Sequence, residues 1–409
     1  MYFTALDIGS SQIKALVADC GKNNRTIING VFKAGSLGLR RGEVVSPEDL
    51  VPPLADLFDE IRKINKSALK NMLVNVNGAN IKFQVSRGIV AVSRADNEIY
   101  RDDIERVIKA SQAVSIGPNR MMLHTLTKEY IVDGVAGIID ALGMIGNRLE
   151  VQSLIVDAPK NSVNNIIKCV EVAGGEIRGG LVYGPLAASQ AVLSKTQKDL
   201  GVVMIDIGHS TTGVSIYEEG LLLHNAVLPI GAGNVTNDLA IGLRCPVKAA
   251  EIIKLTFGFA SAKEIPGKEK LELREIDETF KLPVSRKFLS EIIEVRLAEI
   301  FELVNNELKL VGKSGRLPAG AVLAGGGAKM PGIVDLAKHE LKLPVQIGIP
   351  EFPGLETMRP EFGQELEDPE FAVATGLLLW GTNRFPDTSS IANSSAGEWV
   401  KKVLKNFLP

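Results

Sequence analysis

Apolar positions along this chain follow two alternating rhythms, and the change from one to the other marks its elements. Period-two and continuous apolar runs predict strands over Tyr2–Ile8 and Ile13–Val17, joined by the turn Gly9-Ser10-Ser11-Gln12, and then over Thr26–Val31. Ser46-Pro47 opens a helix, with Ser46 as N-cap and Leu50, Leu54, Leu57, Phe58 and Ile61 on one face. Strands are predicted next over Met72–Asn77, Phe83–Arg87 and Gly88–Val92, and a strongly periodic helix over Asp102–Ala113. Strands follow over Leu123–Val132 and Arg148–Val156, then a helix over Lys160–Ala173. Leu181–Val182 enters a Gly-Pro turn that leads to a helix over Leu186–Leu193.

At Gly201 the opening pattern starts again. Val202–Ile207, a turn at Gly208–Thr212 and Gly213–Tyr217 repeat the first strand, turn and strand. Helices are predicted over Val235–Leu243, Val247–Leu255 and Arg286–Val311, then a strand over Ala321–Leu323. A Gly-rich turn and helices over Gly332–Glu340 and Pro369–Gly381 close the core. Residues 384–397, rich in Ser, Asn and Pro, read as a linker, and 398–409 as a separate element.

Composition narrows the class. With 409 residues, 45% hydrophobic and 23% charged, the chain is long enough for two or more packed domains. A net charge of −2 gives no field to recruit nucleic acid. Cys20, Cys169 and Cys245 lie far apart and the four histidines are scattered, so no zinc or haem motif is present and a reducing cytosol is expected. The first residues enter a strand at once, leaving no room for a signal peptide, and no apolar run approaches the roughly 20 residues that span a bilayer. A soluble or peripheral protein is expected.

The strongest chemical signal is the duplicated turn. Ala5-Leu6-Asp7-Ile8-Gly9-Ser10-Ser11 and Met204-Ile205-Asp206-Ile207-Gly208-His209-Ser210 each end an apolar strand on an aspartate, followed by small residues. Consecutive backbone N–H groups of such turns form nests for phosphate, and a carboxylate beside them suits Mg²⁺ held through waters. A single copy would equally mark an ordinary β-turn. Two copies point to a pair of phosphate hairpins clamping one nucleotide tail. The run Ala324-Gly325-Gly326-Gly327-Ala328-Lys329-Met330 is a strand-to-helix turn open to a flat base or ribose.

These residues resemble the FtsA family of actin-like bacterial cell division proteins over nearly the whole chain. The resemblance implies an α/β fold of duplicated, ribonuclease-H-like domains around a nucleotide cleft, with an inserted small α/β subdomain and a C-terminal amphipathic helix. The parts would be a first core subdomain of residues 1–83, 159–197 and 358–383, an insert of 84–158, a second core of 198–227 and 306–357, and a small subdomain of 228–305. ATP and Mg²⁺ are the cofactors implied. Asp7 and Asp206 would address the metal, and Gly9, Ser10, Ser11, Gln12, Gly208, His209, Ser210 and Thr211 the phosphates. Lys14 has the spacing of actin's phosphate-binding lysine, although an outward strand lysine reads the same. Glu251 and Lys254, three apart on a helix, would meet ribose and adenine near Gly325, Gly326, Gly327 and Met330; a solvated helix face is the alternative. In actins a Gln or Glu before the interdomain helix positions the attacking water. The matching residue is Gly184, so tight nucleotide binding with weak hydrolysis at most is expected.

The segments Tyr130-Ile131-Val132-Asp133-Gly134 and Gly143-Met144-Ile145-Gly146 resemble the insertion through which FtsA subunits contact one another, which implies a filament of this chain. Trp399, Val400, Val403, Leu404, Phe407 and Leu408 would form one helix face, flanked by Lys401, Lys402 and Lys405. Each lysine adds about 1 kcal/mol on an anionic membrane, so the helix would be a weak, reversible anchor. The family's partners are the tail of the tubulin-like FtsZ and other divisome proteins at the cytoplasmic face of the membrane. Lys281, Arg286 and Lys287 form a basic stretch for such a tail, or a solvated charge run. Pilus-assembly and cell-shape actin relatives, and less readily a small-molecule kinase, share the superfold and are the alternatives.

Overall fold

The computed structural model describes residues 1–21, 25–278, 280 and 282–384. Residues 385–409, which include most of the expected linker and the whole expected amphipathic helix, lie outside the described residues, as does Lys281.

Two mixed sheets share one plan. In the first, Tyr2–Ile8, Gln12–Cys20 and Thr26–Gly35 run antiparallel, and Met72–Val76 and Gly180–Tyr183 then add in parallel on the other side of Tyr2–Ile8. In the second, Val202–Ile207, Thr212–Glu218 and Leu221–Leu228 run antiparallel, and Ala321–Ala324 and Val345–Ile347 add in parallel. The strand carrying each aspartate is therefore central in its sheet, and its continuous apolar run is what burial on both faces requires. The first sheet gains a sixth strand, Leu355–Thr357, parallel to Thr26–Gly35.

Each sheet has its own core. Phe3, Leu6, Leu16, Phe58, Leu73 and Leu377 lie in the first. Val203, Ile205, Leu297, Phe301 and Leu323 lie in the second. The helices Gly184–Val192 and Ala372–Arg384 cross closely: a Cβ on Gly376 would lie 1.8 Å from the Ala187 carbonyl oxygen. Only a residue without a side chain fits that crossing.

A third, antiparallel sheet of Lys82–Ala91, Arg148–Pro159, Arg120–Val132 and Val135–Ile138 carries the helix Arg101–Ser111 on one face, around Ile99, Val107, Leu149 and Val151. Here Phe83–Arg87 and Gly88–Val92 are one strand rather than two. Gly88 is an interior position, and its missing Cβ admits the helix backbone: the Val107 carbonyl oxygen would be 2.2 Å from it. Ser46 stands at its helix N-cap, but its side chain makes no capping hydrogen bond.

Candidate functional site

Both duplicated turns close in the same way. The Gly9 N–H donates to the Gln12 carbonyl at 3.0 Å, and the Gly208 N–H to the Thr211 carbonyl at 2.9 Å. The tips meet, with Ser10 Oγ and Ser210 Oγ 2.6 Å apart. Between the sheets lies a cavity of about 440 Å³. It is lined by Asp7, Gly9, Ser10, Ser11, Gln12 and Lys14 from the first hairpin, and by Asp206, Gly208, His209, Ser210 and Thr211 from the second. Glu251, Lys254, Gly325, Gly326, Gly327 and Met330 complete the wall. Every nucleotide- and metal-directed residue expected from the sequence thus faces one cavity.

Asp7 is buried, and burial pushes its carboxyl up to about 6 against the attraction of Lys14. Asp206 rises to about 7 through burial and the nearby Asp7 charge, opposed again by Lys14. Two acids that repel at the end of adjoining cleft walls, both attracted to Lys14, fit a hydrated divalent cation. Gln12, which lines the cavity, has a buried Oε1 with no hydrogen-bond partner among the described residues. Lys14 is only 8% exposed, with its Nζ 6.0 Å from the centre of the Phe371 ring. It is not an outward strand lysine.

Gly325 adopts a φ of +80°, and a Cβ there would lie 2.4 Å from Asp206 Oδ1, so the third turn can pass this close to the acid only as glycine. Lys254 is likewise not solvated. Its Nζ, on a residue 5% exposed, donates to Glu251 Oε2 at 2.7 Å and to Thr236 Oγ1 at 2.8 Å, and Thr236 also bonds Glu251. Burial opposes the charge on Glu251, but hydrogen bonds from Lys254 and Thr236 hold its pKa below the usual value. Burial, and then Lys254, push His209 down.

Several lining or supporting residues carried no sequence signal strong enough to single them out. Asn75 donates to Asp7 Oδ1 at 2.6 Å and accepts from the Ile8 N–H at 2.7 Å, fixing the carboxylate from the next strand. Asn77, Pro185, Lys329 and Glu370 also line the cavity. Two asparagines in alternation within Met72-Leu73-Val74-Asn75-Val76-Asn77 were the available hint. Of the basic stretch, Arg286 is engaged by Glu269 at 2.7 Å, while Lys287 is exposed. Among the described residues no group of three or more His, Cys, Asp or Glu gathers for a metal, and no helix is long and apolar enough to cross a membrane.

Comparison with known proteins places this chain in a family. The solved PilM–PilN type IV pilus biogenesis complex shares the fold at a TM-score of 0.66 and 18% identity, covering 93% of this chain and 98% of that one. MreB5 of Spiroplasma citri bound to AMPPNP does so at 0.53 and 16%, covering 100% and 99%. At these identities the likeness is one of actin-like fold. Sequence is more specific. The model of the cell division protein FtsA matches residues 203–376, and that of the SHS2 domain inserted in FtsA matches 78–157. The cell division protein FtsA of Pseudomonas aeruginosa is 36% identical over 96% of this chain and 92% of its own length. That of Bacillus subtilis is 35% identical over 92% and 82%. An actin-like duplication carrying the SHS2 insert, with relatives alike over almost their full length, makes this chain a member of the FtsA family of cell division proteins.

Proposed function

We propose that the cleft binds Mg-ATP and that the chain, assembled with copies of itself on the cytoplasmic face of the membrane at the division site, tethers FtsZ and other divisome proteins there. The observation that carries the nucleotide reading is the meeting of the two hairpins in one cavity with the buried Asp7, the half-buried Asp206 and Lys14. The turns Gly9 to Gln12 and Gly208 to Thr211 would wrap the phosphates. The N–H groups that follow Gly9 and Gly208 and the hydroxyls of Ser10, Ser11, Ser210 and Thr211 would hold phosphate oxygens, since the two glycine N–H groups close the turns themselves. Asp7 and Asp206 would hold the metal through waters, and the metal would neutralise phosphate charge. Glu251, Lys254 and Met330 would receive the nucleoside.

Titration with a fluorescent ATP analogue tests the cleft: Mg²⁺-dependent binding in the full chain, abolished in Asp206→Ala, is expected. Undiminished affinity in that variant removes the site assignment. Sedimentation with anionic vesicles tests the anchor, comparing the full chain with one ending at Gly397. The shorter chain is expected to stay in the supernatant, and equal pelleting removes residues 398–409 from the reading. An acidic FtsZ-tail peptide is expected to bind within residues 228–305, more weakly to a chain carrying Lys281→Ala and Lys287→Ala.

A further inference from the structure

The strands Met72–Val76 and Gly180–Tyr183 run parallel, with Tyr183 opposite Val76. One residue further, Gly184 stands beside Asn77, each just past its strand at the cleft end of the sheet. A Cβ on Gly184 would lie 2.2 Å from Asn77 Oδ1 and 3.1 Å from its Nδ2. The room a side chain at 184 would need is therefore already filled by a carboxamide from the neighbouring strand. The backbone holds it there, because Gly42 lies against Asn77 and Gly78, where an added Cβ would be 2.9 Å from the Gly78 nitrogen.

Asn75 and Asn77 share one face of the strand, two residues apart. Asn75 is consumed by Asp7 and the Ile8 N–H. Asn77 lines the cavity that holds Asp7 and Asp206, and its amide makes no hydrogen bond to another described residue. A carboxamide presented to a polar cavity without a protein partner is equipped to hold water.

We propose that Asn77 supplies the polar group that Gly184 lacks, its carboxamide orienting the water that attacks the terminal phosphate of a nucleoside triphosphate in the cleft. This rests on the Mg-ATP reading and deepens it. The water oxygen bonds to the terminal phosphorus as the bond from that phosphorus to the bridging oxygen breaks. The diphosphate leaves with the bridging oxygen, and the water's proton passes to the inorganic phosphate released. A carboxamide accepts a hydrogen bond but takes up no proton, so turnover is slow, with orientation rather than base catalysis as its source.

The test uses the full chain and Asn77→Ala, Asn77→Ser, Gly184→Gln and the double variant Asn77→Gly with Gly184→Gln. Phosphate release, AMPPNP affinity and the melting temperature of the nucleotide-free protein are measured. Asn77→Ala is expected to slow phosphate release about tenfold or more, with AMPPNP affinity changed less than about threefold. Asn77→Ser should retain part of the rate. Without nucleotide, Gly184→Gln should melt lower because its side chain meets Asn77, and the added Asn77→Gly should recover both the melting temperature and phosphate release. Unchanged release in Asn77→Ala overturns the proposal, and so does a double variant that melts as low as Gly184→Gln. Wild-type protein that binds AMPPNP but releases no phosphate overturns it as well. Wild-type protein that fails to bind AMPPNP refutes instead the nucleotide reading beneath it.

Discussion

His124 makes the stability of this protein depend on acid in a way that can be worked from its surroundings. The ring sits on the strand Arg120–Val132, 97% hidden from solvent, and its Nε2 accepts the Tyr183 N–H at 2.9 Å. Trp380 packs beside it, ring centres 5.5 Å apart, and Nδ1 has no partner. Accepting at Nε2 requires the neutral ring, and a second proton would set donor against donor in an apolar pocket. Burial accordingly pulls the pKa from 6.5 down to about 4. The folded-state value is the lower one, so between these limits the unfolded chain binds more protons. The contribution is complete above pH 6.5 and is lost as pH falls toward 4. At about 1.4 kcal/mol per unit, the loss is about 2 kcal/mol by pH 5 and about 3 kcal/mol by pH 4. Asp7 and Asp206 titrate with the opposite sign, since their raised values favour the fold as pH falls. The wild-type curve alone therefore mixes the two effects. The assay is urea unfolding at pH 7.5, 6, 5 and 4 for wild type and His124→Gln, whose Oε1 can accept the same N–H but does not titrate. The difference between the two should narrow or reverse by about 2 kcal/mol from pH 7.5 to 5. A difference constant with pH would refute the reasoning.

Three further outcomes follow from contacts around the cleft. Asn75→Ala strips the Ile8 N–H of its acceptor and Asp7 of a donor, and should cost about 2–4 kcal/mol in urea unfolding; an unchanged midpoint would show that the bonds contribute nothing. Gly376→Ala should destabilise by about 1–3 kcal/mol or more, because its Cβ meets the Ala187 backbone rather than a movable side chain, and a melting temperature equal to wild type would contradict that crossing. Lys254→Met leaves Glu251 without its cation and should weaken ATP binding about tenfold by fluorescence titration, whereas equal affinity would take Lys254 out of the nucleoside wall.

What the sequence disclosed was whatever local chemistry decides. Asp7-Ile8-Gly9 and Asp206-Ile207-Gly208 could be read because a strand, an acid and a tight turn lie within a few residues of each other, and the repeat made them conspicuous. Family resemblance then led to Glu251 and Lys254. Position alone could not show that Lys254 is buried, because that depends on Thr236 from the preceding helix. Asn75 and Asn77 stayed hidden for the same reason: Asp7 lies on, and Gly184 just past, an adjacent strand far away in sequence, and register between parallel strands has no local signature. Gly88 broke a strand in the reading because glycine is ordinarily punctuation. Here it marks close approach to a helix. The three-residue strands Val345–Ile347 and Leu355–Thr357 are too short to show a period.

The edge strand Leu355–Thr357 and the helix Ala372–Arg384 complete the sheet begun by Tyr2–Ile8. A ribosome therefore releases the beginning of that sheet long before its finishing pieces. The second sheet and the inserted antiparallel sheet draw on continuous stretches, and during synthesis they should become protease-resistant first. The amino-terminal strands should remain cleavable until residues 355–384 emerge.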